Sequence, residues 1–186
     1  MDNIFDYLNR YWITSHSQGG EVPIEGVHVS VRAMGVAMWR EHVQIPEVSE
    51  RILDDIWNMS MKVREGGTMD YILASRIVSI YADLGSRPKS GRVYDTDFAD
   101  AYVNQTLRLY MLEAQQLVAD EDCSSFVTRA HWRITSELAS AARFLEPQTL
   151  PLLCKACERA FISEQRVWLQ TCFDRLLQEG TLNPKP

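Results

Sequence analysis

Long apolar runs are missing from this sequence. No stretch approaches the ~20 consecutive apolar residues that a bilayer-spanning helix needs, so no membrane-spanning segment is expected. Basic charge is also scarce: Lys and Arg number 19 against 25 Asp and Glu, for a net charge of −6. Phosphate binding wants clustered cations, and no basic stripe interleaved with aromatics is visible, so a nucleic-acid partner is not expected. Asp2, Asp6 and Arg10 break up the apolar segment that a signal peptide would need. The expected location is the cytoplasm, the nucleus or both.

Groups that carry chemistry are few and scattered. The cysteines are Cys123, Cys154, Cys157 and Cys172, and three of them fall on apolar helical faces, which reads as free thiols in a reducing compartment. Cys154 and Cys157 form a CxxC, but no second CxxC or HxxxH completes a zinc site and no strand precedes it as in a redox pair. His16, His28, His42 and His131 are dispersed, with no i, i+4 pairing and no HExxH. Gly19-Gly20 and Gly66-Gly67 have neither the spacing nor the Lys of a phosphate loop. Glu47, Glu50, Asp54 and Asp55 read as a solvated acidic face, and the methionines Met34, Met38, Met59, Met61 and Met69 as core filling. No catalytic residue, cofactor or metal ligand emerges, and the chain reads as a non-enzyme.

What is abundant is helical periodicity. A chain of 186 residues is one domain's length and buries roughly 70% of its unfolded surface. Its apolar fraction of 46% and charged fraction of 24% are those of a folded globular protein. The dominant stretch runs from Val93 to Asp120, with Asp95 as the expected N-cap and Phe98, Tyr102, Thr106, Leu109, Tyr110 and Leu112 at steps of three and four. An element of roughly seven turns cannot bury its stripe alone. The other segments must supply partners.

They do so in order along the chain. Asp2 to Ile13 has helical spacing, and Ser15 to Gly20 is a polar break. Gly26 to Gln44 is apolar on more than one side, which predicts a helix sandwiched between neighbours. Pro46 opens a helix with stripe Val48, Ile52, Ile56, Met59 and Val63, and Gly66-Gly67 stops it. Thr68 is the expected cap of the next, in which Ile72, Leu73, Ile77, Ile80, Tyr81 and Leu84 face inward. Ser86 to Arg92 reads as a linker. Beyond the long helix, Ser124 or Ser125 caps a segment with Phe126, Val127, Ala130, Ile134, Leu138 and Ala141, and Pro147 punctuates it. The remainder continues through Leu153, Cys157 and Phe161 to Trp168, Phe173 and Leu176. No sustained period-two alternation occurs, so the expected fold is all-α, with seven or eight helices and no sheet.

One combination is more specific. Val93, Tyr94, Phe98, Tyr102, Thr106, Tyr110 and Glu113 are followed by Phe126, Glu137, Phe144, Leu145 and Thr149, then by Leu150, Leu153, Cys157, Glu158, Phe161, Ile162 and Glu164. This pattern resembles the cullin repeat, the helical unit that builds the stalk of cullin-type ubiquitin ligases. Tyr7 to Ile13 is similar to the end of the first repeat in the cullins that use Skp-type adaptors, and Val27 to Leu84 to the start of the second. Two positions depart from the pattern. The positive charge usual three residues after the position of Glu137 is Ser140 here, and the usual His after the Cys-Glu pair is Gln165.

The resemblance implies stacked helical bundles forming a short rod. Residues 1–13 would be the remnant of a first repeat, 14–85 and 93–180 the two halves of a repeat, 86–92 a flexible linker and 181–186 a disordered tail. Tyr94, Phe98, Tyr102, Thr106, Tyr110, Glu113, Leu145 and Thr149 would be the family's motif core. A Skp-type or BTB adaptor would dock on Ile4, Tyr7, Leu8, Arg10 and Tyr11, weakened because most of the first repeat is absent. With the third repeat and C-terminal domain also absent, no RING-box protein is expected to bind. The implied function is a non-enzymatic scaffold that holds adaptors at a distance from the ubiquitin-transfer end. The alternative is a helical interaction module, or an inactive truncated relative, whose bare ends self-associate or meet a partner.

Overall fold

Prolines, glycines and short polar side chains decide where each helix begins and ends. The computed structural model describes Tyr7, Tyr11 and residues 31–87, 91–120 and 122–182. Among these lie seven α-helices: α1 (Val31–His42), α2 (Pro46–Arg64), α3 (Tyr71–Asp83), α4 (Asp100–Asp120), α5 (Cys123–Ala141), α6 (Leu150–Glu158) and α7 (Arg166–Leu182). Tyr7 and Tyr11 are also helical. The one strand pairing among the described residues is a clasp of two residues on each side, β1 (Ser86–Arg87) antiparallel to β2 (Gly91–Arg92). It adds no layer to the all-α architecture. The remainder of the expected 86–92 linker, and the tail beyond Leu182, lie outside the described residues.

The expected caps shift by a few residues. Asp70, not Thr68, accepts the Leu73 amide at 2.9 Å, and Asp122, not a serine, accepts that of Ser125 at 2.8 Å. An ionised carboxylate at a helix start answers both the free N–H groups and the helix dipole. Asp95 is not a cap. Val93 and Tyr94 are already helical, and Asp95–Ala99 forms a π-helical turn leading into α4.

Gly66 and Gly67 end α2 as expected, for two different reasons. Gly66 has φ +90°, and its amide reaches the Val63 carbonyl at 3.0 Å. Gly67 donates to the Lys62 carbonyl at 2.8 Å, so close that a Cβ there would stand 2.9 Å from that oxygen.

The inward faces of two helices differ from the expected stripes. In α2 the buried residues are Ser49, Leu53, Ile56 and Ser60, one residue round from Val48, Ile52, Met59 and Val63, which are half-buried. Two serines sit on the inward row because each has a partner: Ser49 accepts from Gln44 Nε2 at 2.8 Å, and Ser60 bonds the Tyr102 hydroxyl at 2.7 Å. In α3, Ala74, Val78, Tyr81 and Leu84 are buried while Ile72 is 68% exposed and Leu73 and Ile80 are each 46% exposed. That helix is apolar almost all round, so periodicity does not select a face. On α1, Met38 and Trp39 are about half exposed rather than enclosed, and Val36 packs on the core.

The core is built along the long helix. Tyr94, Phe98, Tyr102, Thr106, Tyr110 and Ala114 recur every four residues and are all buried. At about 100° per residue, each step of four advances about 40°, so the row winds round its helix and must meet different partners along its length. Tyr81 of α3 meets Phe98 with ring centroids 5.5 Å apart; Phe144 meets Tyr102 at 5.8 Å; Phe161 meets Tyr110 at 5.3 Å.

Gly67→Ala should destabilise the fold by about 1 kcal/mol or more through its backbone clash, whereas Gly66→Asn should cost less because Asn tolerates the left-handed region. Urea titration of both variants, with unchanged slope and a lower midpoint for Gly67→Ala, checks the difference.

Candidate functional site

Two inward rows each carry one charge. The buried row of α2 runs Ser49, Leu53, Ile56, Ser60 and continues to Arg64; that of α5 runs Phe126, Ala130, Glu137, Ala141. Arg64 sits in the last turn of α2, where the helix dipole favours a cation. Its guanidinium forks onto Glu137, Nε to Oε2 at 2.9 Å and Nη2 to Oε1 at 2.6 Å, with the two side chains 7% and 3% exposed.

The long helix completes the cluster. Tyr110 donates to Glu137 Oε2 at 2.6 Å and Tyr102 to Oε1 at 3.4 Å. Arg64 Nη2 also reaches the Tyr102 hydroxyl at 3.3 Å and Thr106 Oγ1 at 3.4 Å, and the guanidinium lies 4.5 Å from the Trp57 ring centre. The carboxylate thus accepts from both sides of the fork and from two phenols, so the desolvated charges keep their hydrogen bonds. Burial opposes the Arg64 cation, but the hydrogen bond and charge of Glu137 outweigh it and raise its pKa further. Burial, then the charge of Glu137, raises both Tyr102 and Tyr110 well above the usual phenol value.

Two further ties flank this cluster. Arg133, one turn before Glu137, donates to Glu113 of α4 at 2.6 Å and to the Arg64 carbonyl at 3.2 Å. At the entrance to the long helix, the Tyr94 hydroxyl bonds Thr149 Oγ1 at 2.8 Å and accepts the Glu146 amide at 3.2 Å, while Arg92 donates to the Glu146 carboxylate at 2.8 Å. Ser140, one of the two departures from the family pattern, bonds the Tyr71 hydroxyl at 3.1 Å, and Arg143 stands 3.4 Å from that ring's centre.

The expected motif residues therefore converge. Tyr94, Phe98, Tyr102, Thr106, Tyr110, Leu145 and Thr149 are buried in one core, and Glu113 is half-buried at its edge. Arg64, Arg133 and Ser60 were not among them. Of the candidate docking residues, Tyr7 and Tyr11 are 71% and 70% exposed, one turn apart; Ile4, Leu8 and Arg10 lie outside the described residues. In the CxxC, Cys154 Sγ donates to Glu158 at 3.6 Å, while burial, then the charge of Glu137, pushes Cys157 up to about 12. Among the described residues no group of three His, Cys, Asp or Glu side chains forms a metal site, and no helix is long and apolar enough to cross a membrane.

Helices stacked around one long member and tied internally by buried charge make an all-α, solenoid-like architecture. The family model of the cullin alpha solenoid domain matches residues 1–183. The chain belongs to the cullin family. It is 21% identical to Cullin-1 of Dictyostelium discoideum over 98% of this chain and 24% of that protein. It is 29% identical to Cullin-3 of the same organism over 72% of this chain and 17% of that protein. To human Cullin-4A it is 24% identical over 96% of this chain and 22% of that protein. The chain thus spans less than a quarter of the length of these curated relatives.

Removing one partner of the buried pair leaves an uncompensated charge, so Arg64→Met or Glu137→Leu alone should cost about 3–5 kcal/mol, and the double variant should recover most of it. Chemical denaturation of the three variants measures this. The raised phenols have a defined sign: their neutral form is the folded one, so their contribution is complete below about pH 10 and is lost as pH climbs through the higher folded values. Stability should fall on alkaline titration, and Tyr110→Phe should make that fall shallower.

Proposed function

We propose that this chain is a non-enzymatic stalk segment of a cullin-type ubiquitin ligase, a spacer that fixes the distance between an adaptor and the ubiquitin-transfer end. The observation that carries the reading is the buried fork between Arg64 and Glu137 against Tyr102 and Tyr110, which locks helices from before and after the long helix onto its middle. A spacer has to resist bending. A fully satisfied internal charge cluster supplies rigidity. Such a segment would work in the cytoplasm or nucleus.

Tyr7 and Tyr11 support a docking face for a Skp-type or BTB adaptor: both are helical, one turn apart and exposed. Ile4, Leu8 and Arg10 would complete it. Pull-down of purified chain with Skp-type and BTB adaptors tests this, with a RING-box protein as the control. Adaptor retention should be weak and should fall about tenfold or more in Tyr7→Ala/Tyr11→Ala, the size expected of central interface residues. RING-box retention by this chain, or adaptor retention indifferent to the double substitution, would contradict the assignment.

A second reading is an interaction module of another complex. It is favoured by α7, on which Val167 is 80% exposed and Phe173 and Leu176 are each 52% exposed. Light scattering across a concentration series separates the two: a concentration-dependent dimer favours the module, a monomer the stalk.

A further inference from the structure

We propose that the side of α5 running from Ser125 to Ser140 is a docking surface for an acidic helix of a partner protein, held by Trp132 and Arg133. Ser125, Arg129, Trp132, Ser136 and Ser140 follow at steps of three and four, so they share one side of α5 over about 22 Å, or roughly four turns. That side is turned away from the inward row of Phe126, Ala130 and Ala141.

Three hollows adjoin along it. The first, of about 590 Å³, has Ser125, Thr128, Arg129, Trp132 and Arg133 in its wall. The second, of about 240 Å³, passes from Trp132 and Arg133 to Ser136 and Ser140 and reaches down to the buried pair of Arg64 and Glu137. The third, of about 430 Å³, lies between the end of α2 and α4 and includes Leu112, which is 62% exposed. Arg133 borders all three and Trp132 two of them. They form a furrow beside α5, long enough for a helix of a few turns.

Charge chooses the occupant. Arg129 and Arg133 border the first hollow, and no carboxylate is among its described walls. The carboxylates nearby are engaged: Glu113 by Arg133, Glu137 by Arg64, and Asp122 by the Ser125 amide. Glu65 borders only the third hollow. Arg133 is fixed by its Nε on Glu113 and its Nη1 on the Arg64 carbonyl, which leaves Nη2 without a hydrogen bond among the described residues. The Ser136 hydroxyl, one turn on in the second hollow, likewise has none among them. A guanidinium already held in place gives up little freedom when it takes a further acceptor, and a carboxylate is the acceptor that suits it best. Trp132, 56% exposed, supplies the apolar anchor. An amphipathic helix with an apolar side chain on Trp132 and carboxylates one turn to either side meets all of these groups. Neither Tyr7 nor Tyr11 takes part, so the proposal stands or falls apart from the adaptor assignment.

The whole isotope-labelled chain is titrated with an acetylated helical peptide of about four turns that carries Leu along one face and Glu beside it, and with the same peptide carrying Lys for Glu. Indole N–H signals are followed by NMR, that of Trp132 being identified with Trp132→Phe. The expected result is a saturable shift of the Trp132 signal with the Glu peptide, a still signal from Trp168, which packs on Phe126, and binding of the Lys peptide about tenfold weaker or less. Ser136→Asp and Thr128→Glu each put a carboxylate into the furrow, and each should weaken the Glu peptide about tenfold. Thr128 is exposed and away from the buried pair, so its variant keeps the fold if Ser136→Asp does not. A Trp132 signal that does not move, equal affinity for the two peptides, indifference to Thr128→Glu, the same saturable shift with inorganic phosphate alone, or a shift that follows protein concentration without peptide would overturn the proposal.

Discussion

The fold hangs on one buried charge pair. Arg64 comes from the end of α2 and Glu137 from α5, the helix after the long one, and they meet at 2.6 Å against Tyr102 and Tyr110. Desolvating two ions costs several kcal/mol each, and the attraction offsets this only when every lone pair and proton is answered. Here the carboxylate accepts four hydrogen bonds, and the cation also faces the Trp57 ring. Such a cluster accepts one arrangement of three helices. An apolar core of similar volume could slide. The specificity of the packing, more than its total strength, is what the pair contributes.

The winding of the buried row explains why so much of the chain is needed. Within α4 a strict step of four on a 3.6-residue helix turns about 120° between Tyr102 and Ala114, so the row meets different partner helices along its length. The clasp and α3 meet its beginning, α2 and α5 its middle, and α6 with the π-helical turn Arg159–Ser163 its end. Each partner is ordered by the long helix and by its own sequence neighbours. This is how a solenoid transmits stiffness along its length.

Much of this was legible in the sequence. The aromatic and Thr row, the downstream Leu145 and Thr149, and the glycine stop at Gly66-Gly67 led directly to the long helix, its core and the all-α architecture. The inward faces of α2 and α3 were harder to read. Apolar periodicity passes over Ser49 and Ser60, which are buried because each has a hydrogen-bond partner distant in sequence or across a turn. On α3, where apolar residues occupy nearly every side, tertiary contact chooses the face. Arg64 and Arg133 were missed, although a signal existed. A lone Glu137 between Ala130 and Ala141, and a lone Arg64 after Ile56 and Ser60, each fall on an inward row, and two such charges of opposite sign call for each other.

A stiff column requires that the middle of the long helix never open by itself. Native-state hydrogen exchange of the Thr106 to Tyr110 amides, measured against low concentrations of denaturant, reads this directly. The account predicts exchange only through global unfolding, with a denaturant slope equal to that of the equilibrium transition. Exchange of those amides through a local opening insensitive to denaturant would contradict it.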